Sequence, residues 1–254
     1  GVSGFASTVK DAAAKQQAGV SETVLIPGKG GKKIVVAELA GVIEGDGSHV
    51  SGKGSGPELA KMLRAAGEDD ETAAVILQID SPGGEVSATD IIYHEVKRLR
   101  EEKHIPVIAY VVGTAASGAY YAAAPADKII VSPTAITGSI GVIMNRLKVK
   151  KLMDMVGIEA EPIMSTSMKD LGSPFRDLSP EERVYLEKLV GQIHSRFVSI
   201  VAEGRGLEKE KVGKLADGKV YTADESVQNG LANSIGYFDD ALDAARLLGG
   251  ATDA

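Results

Sequence analysis

The chain contains no cysteine and no tryptophan, and aromatic residues make up only 4% of its 254 residues. The absence of cysteine excludes disulfides, thiolate catalysis and zinc sites built on thiolates. The scarcity of aromatic side chains argues against a stacking surface for single-stranded nucleic acid. No apolar run reaches the roughly 18–20 residues of a helical membrane span. Any chemistry must therefore come from hydroxyl, amine, carboxylate or imidazole groups.

Positive charge is also in deficit, because 28 lysines and arginines stand against 35 acidic residues, for a net charge of −7. The short run Lys148-Val149-Lys150-Lys151 is typical of a solvated helix face rather than of a phosphate-binding stripe. Nucleic-acid binding is therefore not expected. No metal site or cofactor is predicted, because no histidine has H-E-x-x-H spacing or clustered acidic partners.

Strand-length and helix-length apolar segments alternate along most of the chain, which is also rich in glycine, with 30 residues. Residues 1–33 are dominated by Gly, Ser, Ala, Lys and Gln and predict a flexible linker or stalk. Residues 34–248 show no composition break and predict one domain, followed by a tail at 249–254. The alternation predicts an α/β fold with a mainly parallel sheet and surrounding helices.

Local patterns place the individual elements. The predicted strands cover 33–39, 73–79, 106–112, 128–131, 139–144 and 158–164. The main predicted helices begin near Pro57, Ser87, Ser117, Val149, Ser179 and Thr222. Three of these starts carry capping signatures, which pair Ser87 with Asp90, Ser179 with Glu182, and Thr222 with Glu225.

The segment Asp80-Ser81-Pro82-Gly83-Gly84 follows a predicted buried strand and precedes a helix, where α/β sheets place ligands. Paired glycines let a backbone N–H face a substrate carbonyl, because no side chain blocks the approach. An ordinary strand-to-helix turn explains the segment equally well. It has neither G-x-G-x-x-G nor Walker spacing, so dinucleotide or phosphate binding is poorly supported.

Ser117 and Lys169 are the candidates for nucleophile and base. Ser117 lies where a strand meets an alanine-rich helix, although a helix N-cap is the simpler interpretation of a serine there. The segment is not G-x-S-x-G, since Ala115 replaces the first glycine, so an α/β-hydrolase elbow is not indicated. Lys169 alone is typical of a surface charge, and a lysine base needs its pKa to fall from about 10.4 toward 7–8.

Taken together, these segments resemble the signal peptide peptidase A family of serine–lysine peptidases, in its short single-domain form. The similarity covers most of 34–245. The motifs that carry it lie in order at 80–84, 115–121, 126–129, 137–143, 169–176 and 217–221. Two departures, Ser226 and Asn233 where the family pattern has Ala and Asp, lie away from the proposed chemistry.

The resemblance implies a ClpP/crotonase-like fold and a serine endopeptidase that degrades cleaved signal peptides and other apolar peptides through an acyl-enzyme. It implies Ser117 as nucleophile and Lys169 as general base. It further implies that the backbone N–H groups of Gly84 and Gly118 form an oxyanion hole and that Ser139 orients the lysine amine. Such a dyad needs no metal and no cofactor.

The same resemblance implies an N-terminal membrane anchor ahead of this sequence, with residues 1–33 as the stalk beyond it. The catalytic domain would then lie at the cell membrane on its extracytoplasmic side. A homo-oligomer is also implied, and it allows the dyad to be completed between subunits.

Two other function classes stay open at this point. A crotonase-type acyl-CoA hydratase, isomerase or thioesterase shares the fold and uses two glycine-type amides on a thioester carbonyl. It would need a carboxylate near the site, and Glu85 is the only adjacent candidate. A non-catalytic scaffold of a membrane complex would have no need to keep both Ser117 and Lys169.

Overall fold

The computed structural model describes residues 20–28, 30–45 and 56–251. Most of the predicted stalk, much of the glycine-rich loop after residue 45 and the last three residues of the tail lie outside this range. The chain divides into two compact units. The larger takes in the chain up to Ile140 and again from Val198, and the smaller consists of residues 141–197.

In the described part of the larger unit, seven strands form one sheet. They are β1 (Lys33–Ile43), β2 (Thr72–Gly84), β3 (Val107–Ala116), β4 (Lys128–Val131), β5 (Ile136–Gly138), β6 (Val220–Thr222) and β7 (Ser234–Ile235). The strand order is β1-β2-β3-β4-β7, with β5 pairing to β3 and to β6. Every pairing is parallel except that of β5 with β6. The predicted α/β class with a mainly parallel sheet is confirmed.

Eight helices occur in the described residues. They are α1 (Gly56–Gly67), α2 (Val86–Glu101), α3 (Gly118–Ala123), α4 (Lys150–Val156), α5 (Pro180–Arg205), α6 (Lys209–Leu215), α7 (Ala223–Asn229) and α8 (Phe238–Gly249). Helix α4 belongs to the smaller unit, and α5 begins in the smaller unit and ends in the larger. Among the described helices, none is both long enough and apolar enough to cross a membrane.

The core lies around β2 and β3, whose uninterrupted apolar runs are buried on both faces, as in parallel sheets covered by helices. Ile76 and Ile108 are fully buried and pack with Ala241 and Ala245 of α8 on one face. Burying each such isoleucine contributes roughly 1.5–3 kcal/mol. Because β2 ends at Gly84 and β3 at Ala116, the best-packed strands hold both glycine-containing segments in place.

Two of the three predicted capping boxes are confirmed, at Thr222 and at Ser179. The box at Ser87 is wrong, because α2 already begins at Val86 with Glu85 as its N-cap and no side-chain capping bond. The Glu85 N–H donates to the Ile43 carbonyl at 2.8 Å. This bond ties the turn to the end of β1, so the helix starts before Ser87 can cap it.

Two predicted strands, 139–144 and 158–164, are also wrong. After β5, Gly138 (φ 90°) and Ser139 (φ 49°) turn the chain away from its extended path. The second segment lies in the smaller unit, where all residues from 141 to 197 are described and none forms a strand. An apolar run becomes a strand only beside a hydrogen-bonded neighbour. Without one, Ile143 and Ile163 are exposed.

Candidate active site

Ser117 joins the end of β3 to the start of α3 with a φ of 51° and a ψ of −122°. A residue with a Cβ rarely adopts a positive φ, and holding it there costs of order 1–3 kcal/mol. Backbone bonds fix the residue on both sides. Its N–H donates to the Gly138 carbonyl at 2.8 Å, and its carbonyl accepts from the Tyr121 N–H at 3.0 Å. The surrounding structure therefore imposes this backbone conformation.

The Ser117 hydroxyl makes no capping hydrogen bond to α3. A serine N-cap normally has an extended backbone and accepts a bond from an N–H of the first helical turn. Neither condition is met, so the simple N-cap interpretation of Ser117 is wrong. The half-buried side chain is not used to start the helix.

The glycines of the 80–84 segment approach Ser117 backbone to backbone. Gly83 has a φ of 94°, and a methyl group there would lie 2.6 Å from the Gly118 nitrogen and 3.0 Å from the Ser117 Cβ. A methyl group on Gly118 would lie 3.3 Å from the Gly84 nitrogen. The backbone nitrogens of Gly84 and Gly118 are thus brought close to each other and to Ser117, and no side chain fits at Gly83.

Neighbouring groups hold this arrangement. The Gly83 N–H donates to the Ser81 hydroxyl at 3.2 Å, and Ser81 is fully buried. Gly84 pairs with Ile43 of β1, and a methyl group on Gly84 would lie 2.1 Å from the Ile43 carbonyl oxygen. Gly118 opens α3, and an N–H in the first helical turn has no acceptor within its own helix. Such N–H groups are available to a ligand oxygen.

Ser139 comes next to Ser117 through strand register. β3 and β5 are parallel, with Ala116 opposite Gly138, so the residues that follow leave the sheet side by side. Ser139 also has a positive φ, 49°, and its N–H donates to the Lys219 carbonyl at 2.8 Å. Its side chain is half-buried. Both serines therefore have a positive φ at the ends of adjacent strands.

The two positions that depart from the family pattern are hydrogen-bonded. The hydroxyl of Ser226 is 2.7 Å from the Thr137 hydroxyl, just before Gly138, and also donates to the Thr222 carbonyl at 2.7 Å. The amide oxygen of Asn233 accepts from the Ile129 N–H at 2.8 Å. The Ser226 hydroxyl and the Asn233 amide oxygen are thus both hydrogen-bonded.

Lys169 lies in the smaller unit, within a turn where its N–H donates to the Thr166 carbonyl at 3.2 Å, and its side chain is exposed. Gly84, Ser117, Gly118 and Ser139 all belong to the larger unit. Gly84, Ser117 and Gly118 lie close together, and strand register places Ser139 beside Ser117. The catalytic roles of these residues and the pairing of Lys169 with Ser117 stay predictions.

Thr89 was not predicted from the sequence as a residue of the candidate site. Its side chain is buried, its hydroxyl oxygen has no hydrogen-bond partner among the described residues, and a methyl group on Gly118 would lie 2.5 Å from that oxygen. Thr89 therefore forms the wall behind Gly118. A threonine within a helix gives no sequence signal for such a role.

No group of three or more histidine, aspartate or glutamate side chains that could hold a metal ion occurs within the described residues.

Comparison with known proteins identifies the family. The family model described as Peptidase family S49 matches residues 99–251, and the model described as Clp protease matches residues 51–137. A presumed protease of Methanocaldococcus jannaschii is 38% identical over 84% of this chain and 70% of its own length. A presumed signal peptide peptidase of Enterococcus faecium is 34% identical over 92% of this chain and 69% of its own. Protease 4 of Salmonella typhi is 33% identical over 87% of this chain but only 35% of its own length.

The chain belongs to peptidase family S49, since that family model matches more than half of it. The predicted family, the Clp-like α/β fold and the assignment as a peptidase are confirmed.

Proposed function

We propose that this peptidase is a serine endopeptidase that degrades cleaved signal peptides and other apolar peptides with Ser117 and Lys169 as its catalytic dyad. The observation that carries the proposal is the backbone of Ser117. A strained residue is held between two well-packed elements, its hydroxyl is left out of the helix cap, and glycine amides lie beside it. Strain of this kind concentrates at functional sites. The similarity to a presumed signal peptide peptidase of E. faecium supports signal peptides as the substrate class.

The proposed chemistry is acyl transfer in two steps. Lys169 Nζ accepts the proton of the Ser117 hydroxyl as the Oγ attacks the peptide carbonyl carbon. The protonated lysine then gives that proton to the leaving amine, and an ester between Ser117 and the substrate acyl group remains. Lys169 next takes a proton from water, the hydroxide attacks the ester, and the proton returns to Ser117 as the acid product leaves.

The N–H groups of Gly84 and Gly118 are the proposed donors to the oxyanion of each tetrahedral intermediate. Their nitrogens lie close together beside Ser117 on two rigid segments, so little reorganisation is needed when charge develops. Loss of one such donor typically costs 10²–10³ in kcat. Packing requires glycine at these positions, because a methyl group would lie 2.6 Å from the Gly118 nitrogen at Gly83, 2.1 Å from the Ile43 oxygen at Gly84, and 2.5 Å from the Thr89 hydroxyl at Gly118.

Ser139 is proposed to hydrogen-bond and orient the Lys169 amine, since strand register places it next to Ser117. A lysine that acts as a base must lose its proton, and burial favours the neutral form. The side chain of Lys169 is exposed in the single chain. The proposal therefore includes a homo-oligomer in which a neighbouring copy covers Lys169 or supplies it, attached to the cell membrane with the catalytic domain on the extracytoplasmic side.

The test is hydrolysis of a fluorogenic apolar peptide across pH by the wild type, Ser117→Ala and Lys169→Ala. We expect the wild-type rate to rise toward alkaline pH, because the unprotonated fraction of the amine increases. Both variants should be folded and inactive, while Lys188→Ala, an exposed lysine of α5, should retain full activity.

Activity of Lys169→Ala equal to that of the wild type would show that the base lies elsewhere. If the wild type cleaves no apolar peptide, the acyl-CoA alternative gains weight, and titration with coenzyme A follows.

A further inference from the structure

The segment that carries Lys169 has no regular structure of its own. Residues 157–179 contain neither helix nor strand. The Lys169 N–H reaches the Thr166 carbonyl at 3.2 Å, and the Leu171 N–H reaches the Met168 carbonyl at 3.3 Å. Bonds at the long end of the normal range add little rigidity. The placement of Lys169 therefore depends on the side chains that hold this segment.

Arg176 binds Asp170, the residue that follows Lys169. Its Nε donates to Asp170 Oδ2 at 2.9 Å, and its Nη2 donates to Asp170 Oδ1 at 2.6 Å. Two parallel bonds between a guanidinium and a carboxylate fix orientation as well as distance. They also hold the pKa of the Asp170 carboxyl below its usual range. Asp170 is thus a charged and oriented anchor directly after Lys169.

Glu182 fixes Arg176 from the other side. Arg176 Nη1 donates to Glu182 Oε2 at 2.8 Å, and Nη2 also binds Glu182 Oε1. The Glu182 carboxylate, 3% exposed, accepts from the Ser179 N–H at 2.7 Å in the capping box that starts α5. Bonds from Arg176 and then from Ser179 lower its pKa to about 2, so it stays ionised. Arg176 therefore links the segment to the end of a 26-residue helix.

A second guanidinium holds the intervening backbone. Arg146 Nε donates to the Gly172 carbonyl at 3.3 Å, and Nη2 binds the carbonyls of Ser173 and Arg176. The Val149 N–H donates to the Pro174 carbonyl at 2.9 Å. These bonds close the segment between Asp170 and Arg176 into one unit. A displacement of Arg176 would therefore be transmitted to Asp170.

From these contacts we infer that Arg176 is a positioning residue for Lys169, acting through Asp170 and held by Glu182. The inference rests on the proposed role of Lys169 as the general base. Arg176 also neutralises the carboxylate beside the lysine. Loss of Arg176 thus leaves Asp170 unpaired and misplaces the amine of Lys169.

The experiment measures kcat and KM for Arg176→Gln, Asp170→Asn and the double variant on the fluorogenic apolar peptide. Each single variant should lower kcat by about 10–100-fold, the effect of a misplacement near 1 Å. KM should change by less than about two-fold, because substrate binding is untouched. The double variant should lose no more than the worse single variant, since both remove one interaction.

Two controls sharpen the result. Arg183→Gln removes an exposed arginine of α5 that lies 3.8 Å from Glu187, and it should leave kcat unchanged. Arg176→Lys keeps the charge without the two-pronged geometry and should recover only part of the lost rate.

Lys169→Ala is measured alongside to separate the possible failures. If Lys169→Ala is active, the proposed function fails and the inference fails with it. If Lys169→Ala is inactive but a folded Arg176→Gln keeps the wild-type kcat, only the inference is overturned. If Arg176→Gln does not fold by circular dichroism, Asp170→Asn decides by the same criterion, because it keeps the pair between Arg176 and Glu182.

Discussion

Replacing Gly83 with alanine tests the close approach that defines the candidate active site. The new methyl group would lie 2.6 Å from the Gly118 nitrogen, 2.8 Å from the Ala116 carbonyl oxygen and 3.0 Å from the Ser117 Cβ. Two of these atoms are backbone, so the contacts cannot be relieved by a rotamer change. The two segments must move apart, and the amides of Gly84 and Gly118 move with them.

Gly83→Ala is expected to lower both the stability and the activity of the protein, and a control variant can separate the two effects. An alanine with φ near 94° carries backbone strain of about 1–2 kcal/mol. Gly206→Ala carries the same kind of strain, with a φ of 63° and no atom within 4 Å of the added methyl group. In a chain of this size that strain lowers the melting temperature by about 2–8 °C. Only Gly83→Ala should also displace an oxyanion donor, at a further 10²–10³-fold loss in kcat.

The assay compares kcat on the fluorogenic peptide and the melting temperature by circular dichroism for both variants. Gly206→Ala should melt earlier but turn over at the wild-type rate well below its melting temperature. Gly83→Ala should be nearly inactive at the same temperature. Equal kcat values for the two folded variants would refute the close packing of Gly83 against Gly118.

Two further predictions concern a hydroxyl group and a buried carboxylate. Ser139→Ala should lower kcat about 10-fold or more with little change in KM. Ser139→Gly should lose as much activity, although glycine relieves the strain of the positive φ. Full activity of either variant would show that Ser139 is not part of the site. Glu95 is fully buried, which alone would raise its pKa, but the guanidinium groups of Arg64 and Arg98 outweigh burial and hold the pKa below its usual range. Its charge therefore stabilises the fold fully above the pKa of an unfolded glutamate, about 4.3, and less as the pH falls. Glu95→Gln should lower the free energy of unfolding in urea by about 1–3 kcal/mol at pH 7, and a difference from the wild type that stays constant down to pH 3 would contradict this.

The sequence predicted the sheet well where burial decides structure. The apolar runs of β2, β3 and β4 were correctly predicted to form strands, and the capping residues Ser179 and Thr222 mark their helices because each side chain bonds locally. The prediction failed at 139–144 and 158–164, which were expected to form strands. Strand formation there depends on a partner strand, which local composition cannot reveal.

At the candidate site, the family resemblance pointed to these segments but did not predict their backbone conformation. The positive φ values of Ser117 and Ser139 arise from tertiary contacts, such as the bond from Ser117 to Gly138, that no local pattern encodes. The packing role of Thr89 and the contacts of Arg176, which lies within the 169–176 motif, were not predicted for a similar reason. Each has an ordinary residue type, and its significance comes only from the groups that it meets in space.

During synthesis, β7 emerges long after β4, the strand with which it pairs. β7 pairs with β4 although roughly 100 residues separate them along the chain. At a translation rate of 5–20 residues per second, the edge of β4 waits about 5–20 s for its neighbour. The same late segment supplies the Leu231 carbonyl that accepts the Tyr120 hydroxyl of α3 at 2.8 Å. The helix that follows Ser117 therefore gains this anchor only after residue 231 has been synthesised, and in the nascent chain the backbone after Ser117 lacks that support until then.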